Sequence, residues 1–274
     1  MKRLFSFYIQ SSIHVALAVT ALAWVTYLEF NWEPSLWTLL FIFFGTITGY
    51  NFVKYAGVAG LHHRSLARSL RAIQVFSFLC FGALLYIGIQ LTIAEWITFF
   101  IFAVLILLYA VPFARHKSLR TLSGTKIFIV AMAWAGVTVT VPTVASGASF
   151  MESTVLLSFT QRFLLVLVWT LPFEIRDLHF DDPRLGTLPQ RLGIDATKYI
   201  GTAITGVVFL LEYFKEPTHY EHAYSLLFVC GLSVGALLLT PKHPSRYYAA
   251  FWVESIPIVW LGVFVLILYY LPIF

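Results

Sequence analysis

Nine apolar stretches recur along this chain, at 8–30, 35–57, 69–90, 93–112, 125–145, 155–175, 197–214, 221–240 and 248–272. Each is about as long as the roughly 17–25 residues that cross a hydrocarbon core about 30 Å thick. Only 11% of the 274 residues are charged and 59% are apolar, against roughly 25% charged in an ordinary soluble domain. A soluble fold cannot hide so much apolar surface, whereas a bilayer accepts it. The expected fold class is therefore all-α: a polytopic membrane protein of about nine transmembrane helices, with residues 1–274 forming one domain.

The basic residues set the orientation. With the N-terminus in the cytoplasm and alternating spans, 15 of the 18 lysines and arginines fall on the cytoplasmic side, from Lys2 and Arg3 to Lys242 and Arg246. The far side holds only Lys215, and Lys54 and Arg162 lie inside spans. A 15-to-1 division is a positive-inside signal that places the C-terminus outside. The reading is of a multi-pass protein of the cell (inner) membrane of a bacterium. Because the basic residues alternate with apolar runs, the net charge of +5 reads as topology and not as a nucleic-acid patch.

The N-terminal Met1-Lys2-Arg3 followed by an apolar run resembles a signal peptide, but the run continues to about Phe30. An uncleaved first helix is the favoured reading. Cys80 and Cys230 each sit within an apolar run without metal or redox spacing, and read as small packing residues.

Connections at 58–68, 113–124 and 176–196 are long and polar, whereas 31–34 and 91–92 are short. Functional residues gather on loops mounted on a rigid scaffold, so a site opening to the cytoplasm is expected. There, Glu174, Asp177 and Asp181 fall at i, i+3 and i+7. On a continuing helix these carboxylates share one face where the sixth span leaves the membrane. Such hard oxygen ligands suit Mg²⁺, which keeps open positions for a substrate diphosphate. A solvated helix end, with Arg176 and Arg184 as local partners, is the plainer alternative.

The run Asp177-x-x-x-Asp181 followed by Thr187-Leu-Pro-x-Arg191-Leu-Gly193 resembles the second aspartate-rich motif of the UbiA superfamily of intramembrane prenyltransferases. Tyr109-Ala-Val-Pro-Phe-Ala-Arg115 is similar to that family's tyrosine motif between the fourth and fifth spans. The resemblance implies a ring of helices around a central cavity. It also implies a magnesium cofactor, a polyprenyl diphosphate whose departure leaves an allylic cation, and a lipophilic acceptor that captures it. The corresponding metal ligands are Asp177, Asp181 and Glu174, with Asn51, Lys54, Tyr109, Arg115 and Arg184 steadying the diphosphate.

The first aspartate motif departs from the family pattern. Asn51 is kept, but Phe52, Tyr55 and Ala59 stand where that motif has carboxylates. Lys54, one turn after Asn51, is a candidate to supply fixed positive charge in place of an ion, or to snorkel to the interface. Arg64 and the pair His62-His63 lie just beyond, at the mouth of the same loop; arginine binds phosphate through paired hydrogen bonds.

Glu254, about one turn into the last span, is expected to pair with Lys54 or Arg246, or to face the cavity. Arg162, about two turns from the outer end of the sixth span, is expected to snorkel outward along Gln161 and Thr160. Trp24, Trp32, Trp37, Trp96 and Tyr269-Tyr270 lie near outer ends, as an interfacial belt would.

Two functions fit these features. One is a UbiA-like prenyltransferase working at the cytoplasmic face. The other is a non-catalytic relative that binds an isoprenoid or quinone, or supports a partner enzyme. A transporter is disfavoured, because no paired repeat is visible and the polar residues concentrate at one face.

Overall fold

The computed structural model describes residues 2–55, 64–110, 124–180, 182, 185–216, 219–245 and 247–270, and among them the chain is all-helical. In lipid the backbone must satisfy its own hydrogen bonds, and a helix does so within one segment. Among the described residues, each of the nine apolar stretches accordingly holds a helix. The helices are α1 (Lys2–Gln10), α2 (Ile13–Glu29), α3 (Leu36–Tyr55), α4 (Arg64–Gly88), α5 (Ile93–Ala110), α6 (Lys126–Ala135), α7 (Val141–Ala145), α8 (Ser153–Asp177), α9 (Leu188–Leu192), α10 (Ile194–Glu212), α11 (Tyr220–Leu238) and α12 (Ile256–Tyr270). Seven described segments are long and apolar enough to cross a membrane, or up to eight if the bent α1–α2 pair makes one span; in α5, Ile93–Leu108 is a shorter apolar helix. The protein is an integral, multi-pass membrane protein.

Neighbours in sequence pack on one another along much of the chain: α2 on α3, α3 on α4, α5 on α6, α10 on α11 and α11 on α12. The long α8 joins α6 to α10, and α12 returns to pack on α2. The helices thus close into a ring. The main core runs through α2, α6, α8, α10, α11 and α12, with Leu165, Leu171, Ile175, Leu226 and Trp260 among its buried side chains. Gly201 lets α10 lie close to its neighbours: a Cβ there would come within 2.3 Å of Leu237 and 2.7 Å of Leu171. Small residues serve this purpose where membrane helices touch. By contrast α4 and α5 turn Phe78, Leu79, Ile97 and Phe100 outward, as lipid-facing helices do.

Three irregularities interrupt the helices. First, α1 and α2 meet at 52° across Ser11 and Ser12, with Ser12 in the left-handed region at φ 63°. Second, a π-helical turn, Gly136–Thr140, separates α6 from α7. Third, a longer π-helical segment, Tyr248–Val253, precedes α12 and ends at Glu254. Such π segments are inserted residues that re-aim side chains, and they frequently sit at functional sites.

Trp24, Trp37, Trp96, Tyr269 and Tyr270 are exposed, while Trp32 stacks on Phe30 at 4.6 Å. Cys80 and Cys230 are buried and free.

Candidate functional site

The helix carrying the second motif stops sooner than its carboxylate spacing implies. α8 ends at Asp177, and residues 178–180 form a turn. Glu174 and Asp177 therefore share one helix end, and the helix does not continue through residues 178–180. Asp181, Arg184 and Arg115 lie outside the described residues, as do the side chains of Arg64 and Tyr109 and the pair His62-His63.

Two cations balance these two acids. Glu174 is 3% exposed, with Lys126 Nζ from the start of α6 at 3.6 Å. The same ammonium lies 4.0 Å from Asp177. Arg176 grips Asp177 through two parallel hydrogen bonds, Nε to Oδ1 at 2.7 Å and Nη2 to Oδ2 at 3.1 Å. The motif's second half is a positioning device. Gln190 accepts a hydrogen bond from the Thr187 backbone N–H at the start of α9 and donates to the Asp182 carbonyl at 3.2 Å. Gly193 takes φ 84°, a left-handed value that favours glycine, between α9 and α10.

The α3 residues at the first-motif positions do different work. Asn51 is buried, and its amide is spent on packing: Oδ1 accepts from Ser12 Oγ at 2.8 Å, while Nδ2 donates to the Ser11 carbonyl at 3.0 Å and to Ser77 Oγ at 2.8 Å. Tyr55 donates to the Gln10 carbonyl at 2.9 Å, and Lys54 Nζ lies 3.4 Å from the same oxygen. That carbonyl ends α1, where helical partners run out. The end of α3 thus clamps the break in the first span. Asn51, expected at the diphosphate, is instead committed to this clamp; Lys54 is exposed.

Between the two motifs lies Glu254. It is half-buried, and among the described residues its carboxylate has no hydrogen bond or ion pair; the expected direct pairing with Lys54 is absent. Lys54 from α3 and Arg176 from α8 are nevertheless the opposite charges that act on it, and Tyr8 of α1 lies near. His14 secures the turn: its Nε2 sits 3.0 Å from the Phe251 carbonyl and 3.2 Å from Ser255 Oγ, and its Nδ1 meets the Tyr8 hydroxyl at 2.7 Å.

A second polar cluster, which the sequence alone does not reveal, occupies the opposite end. Ser158 and Asp177 mark the two regions on α8, about 28 Å apart at 1.5 Å per residue. Here Lys215 Nζ contacts Glu29 Oε1 at 2.6 Å and Glu212 Oε2 at 3.0 Å. His222 Nδ1 meets Glu212 Oε1 at 2.6 Å, and Ser158 bonds to Glu29. Gln161 donates to Glu212 at 3.0 Å. Glu29, Lys215 and His222 also line a small pocket of about 50 Å³. Arg162 corrects an expectation. It does not snorkel outward but is 2% exposed, donating to the Leu22 carbonyl at 2.7 Å and lying 5.0 Å over the Trp260 ring. The available signal was the pattern of acids at span ends: Glu29 closes the first span, and Glu212 stands three residues before Lys215.

Among the described residues no three His, Cys, Asp or Glu side chains cluster as a metal site. No protein-family model and no curated protein matches the sequence. Solved structures do match in fold. One, from work on a digeranylgeranylglyceryl phosphate synthase in membranes, shares 18% identity at a TM-score of 0.59, covering 97% of this chain and 98% of its own. Another is a UbiA homologue from Archaeoglobus fulgidus bound to Cd²⁺, with 13% identity, a TM-score of 0.60, and coverage of 95% of this chain and 99% of its own. A further structure of a UbiA homologue from that organism also matches at 13% identity and TM-score 0.60. The chain has the UbiA fold.

Proposed function

We propose that this chain, with its UbiA fold, is a prenyltransferase that moves an isoprenoid from a polyprenyl diphosphate to a lipophilic acceptor at the cytoplasmic face of the membrane. One observation carries the reading: Lys54, on the helix of the altered first motif, and Arg176, beside Asp177 of the second, both act on Glu254. The ends of the two motif helices therefore both bring positive charge towards one carboxylate.

Magnesium, when bound, would neutralise the diphosphate as it departs. Glu174, Asp177 and Asp181 are the residues that would hold it, and their hard oxygens fit that ion. α3 offers no carboxylate facing them, so the donor set suits fewer ions than two full aspartate motifs would. Lys54, Lys126 and Arg176 make up part of the difference with fixed positive charge. Arg64, Tyr109, Arg115 and Arg184 complete the proposed diphosphate contacts. Asn51 acts at a remove, by fixing the α1–α2 break against α3. The positive-inside pattern supports placing the α8 C-terminal end in the cytoplasm, in the inner membrane of a bacterium.

A second reading has its own support. Asn51, Lys54 and Tyr55 are all used to clamp the first span, which suits a protein that binds an isoprenoid or quinone without ionising it. The deciding experiment is diphosphate release from farnesyl or geranylgeranyl diphosphate by the reconstituted protein, with a panel of acceptors. Magnesium-dependent release that Asp177→Ala abolishes supports the transferase. Absence of release from the wild type favours the binding protein.

A further inference from the structure

The two acids at the α8 end are already balanced: Lys126 lies by the buried Glu174, and Arg176 grips Asp177. His14 is committed at both ring nitrogens, to Tyr8 and to Phe251 with Ser255. Among the described residues of this region, Glu254 alone keeps a carboxylate with neither hydrogen bond nor ion pair. Its placement is costly, since an intramembrane carboxylate without a close partner is expensive. It is also built. The π-helical segment ends in the Glu254 N–H to Ala249 carbonyl bond at 3.1 Å, and His14 and Ser255 pin the neighbouring Phe251 carbonyl.

We infer that Glu254 is the proton acceptor of the transfer reaction, taking up the proton that the acceptor substrate gives up as it attacks. This rests on the transferase reading. The bond between the allylic carbon and the diphosphate oxygen breaks, and its electron pair leaves with the diphosphate. An electron pair of the acceptor forms the new bond to that carbon. The proton released by the acceptor passes to the Glu254 carboxylate and then to water. The groups facing this carboxylate suit the task. Lys54 from α3 and Arg176 from α8 favour its ionised, proton-accepting form, Tyr8 of α1 lies near it, and His14 of α2 holds the adjoining Ser255. A metal-ligand role fits less well, because Glu254 does not join Glu174 and Asp177 in a three-ligand cluster among the described residues.

The test is Glu254→Gln, which keeps shape and hydrogen-bonding capacity, with Glu254→Asp beside it, in the full-length reconstituted protein. Binding of geranylgeranyl thiodiphosphate, an analogue that ionises poorly, is expected to stay within about threefold of wild type. Transfer to phenolic and alcohol acceptors is expected to fall about 100-fold or more in kcat, the usual scale for a lost general base. The acidic limb of the kcat–pH profile should vanish in Glu254→Gln and persist, shifted, in Glu254→Asp. Wild-type-like transfer by Glu254→Gln, or a loss confined to binding with the acidic limb intact, would overturn the assignment while leaving the transferase reading standing. A wild type that binds the analogue yet prenylates no acceptor overturns both.

Discussion

Lys215 Nζ lies 2.6 Å from Glu29 Oε1, joining the turn after α10 to the last residue of α2, with Glu212 3.0 Å from the same ammonium. All three residues are nearly excluded from solvent, so neither charge can be re-solvated if its partner is lost. Removing one member of such a pair typically costs about 3–5 kcal/mol, because an uncompensated charge stays buried. Lys215→Met is expected to destabilise the purified protein by that order in thermal or chemical unfolding. Lys215→Met with Glu29→Gln should recover part of the loss. Stability unchanged by the single variant would show that water reaches the cluster.

Arg162 is a further buried charge on α8, bonding to the Leu22 carbonyl and covering Trp260. Arg162→Lys keeps the charge but loses the planar fork that reaches Leu22, Thr26 and Thr138 together. It is expected to lower the unfolding temperature, with Trp260 fluorescence shifted by the lost stacking. A silent substitution would mean that charge alone suffices there.

Asn51 and Asp177 should separate cleanly. Asn51→Ala strips three hydrogen bonds, two from the α1–α2 break and one from Ser77 of α4. It should cost about 1–3 kcal/mol of stability, the range for buried partners left unsatisfied. Magnesium dependence should persist in the protein that remains folded. If Asn51→Ala instead raises the magnesium requirement with unchanged stability, Asn51 touches the ion or the diphosphate.

Orientation has a direct test, because Cys80 and Cys230 are buried and should be silent to thiol reagents. Ser149 and Lys242 are both in polar connections, between α7 and α8 and between α11 and α12. Ser149→Cys should label in intact cells, and Lys242→Cys only after permeabilisation. The reverse pattern would invert the proposed topology.

The scaffold was legible because apolar length is a property of single segments. Every stretch read from hydropathy holds a helix, and the second motif does end a long one. What escaped was set by contacts between distant segments. The spacing of Glu174, Asp177 and Asp181 assumed a helix that α8 does not continue past Asp177. Arg162 looked like a misplaced interfacial charge, since nothing local reveals that the Leu22 carbonyl, 140 positions away, accepts its hydrogen bond. Likewise Asn51 matched the family pattern in type, while its partners Ser11 and Ser12 depend on a bend between two helices. Lys215 was counted as the one clearly non-cytoplasmic base, but its role needed Glu29, 186 residues distant.

The central claim is that the end of α8 and Lys54 hold one diphosphate between them. Titration of geranylgeranyl thiodiphosphate with magnesium into wild type, Asp177→Asn, Lys54→Gln and the double variant measures this directly. The expected result is magnesium-dependent binding weakened about tenfold or more by each substitution, each tenfold being about 1.4 kcal/mol, with a double loss smaller than the sum because both groups serve one ligand. Binding indifferent to magnesium and unchanged in all three variants would contradict it.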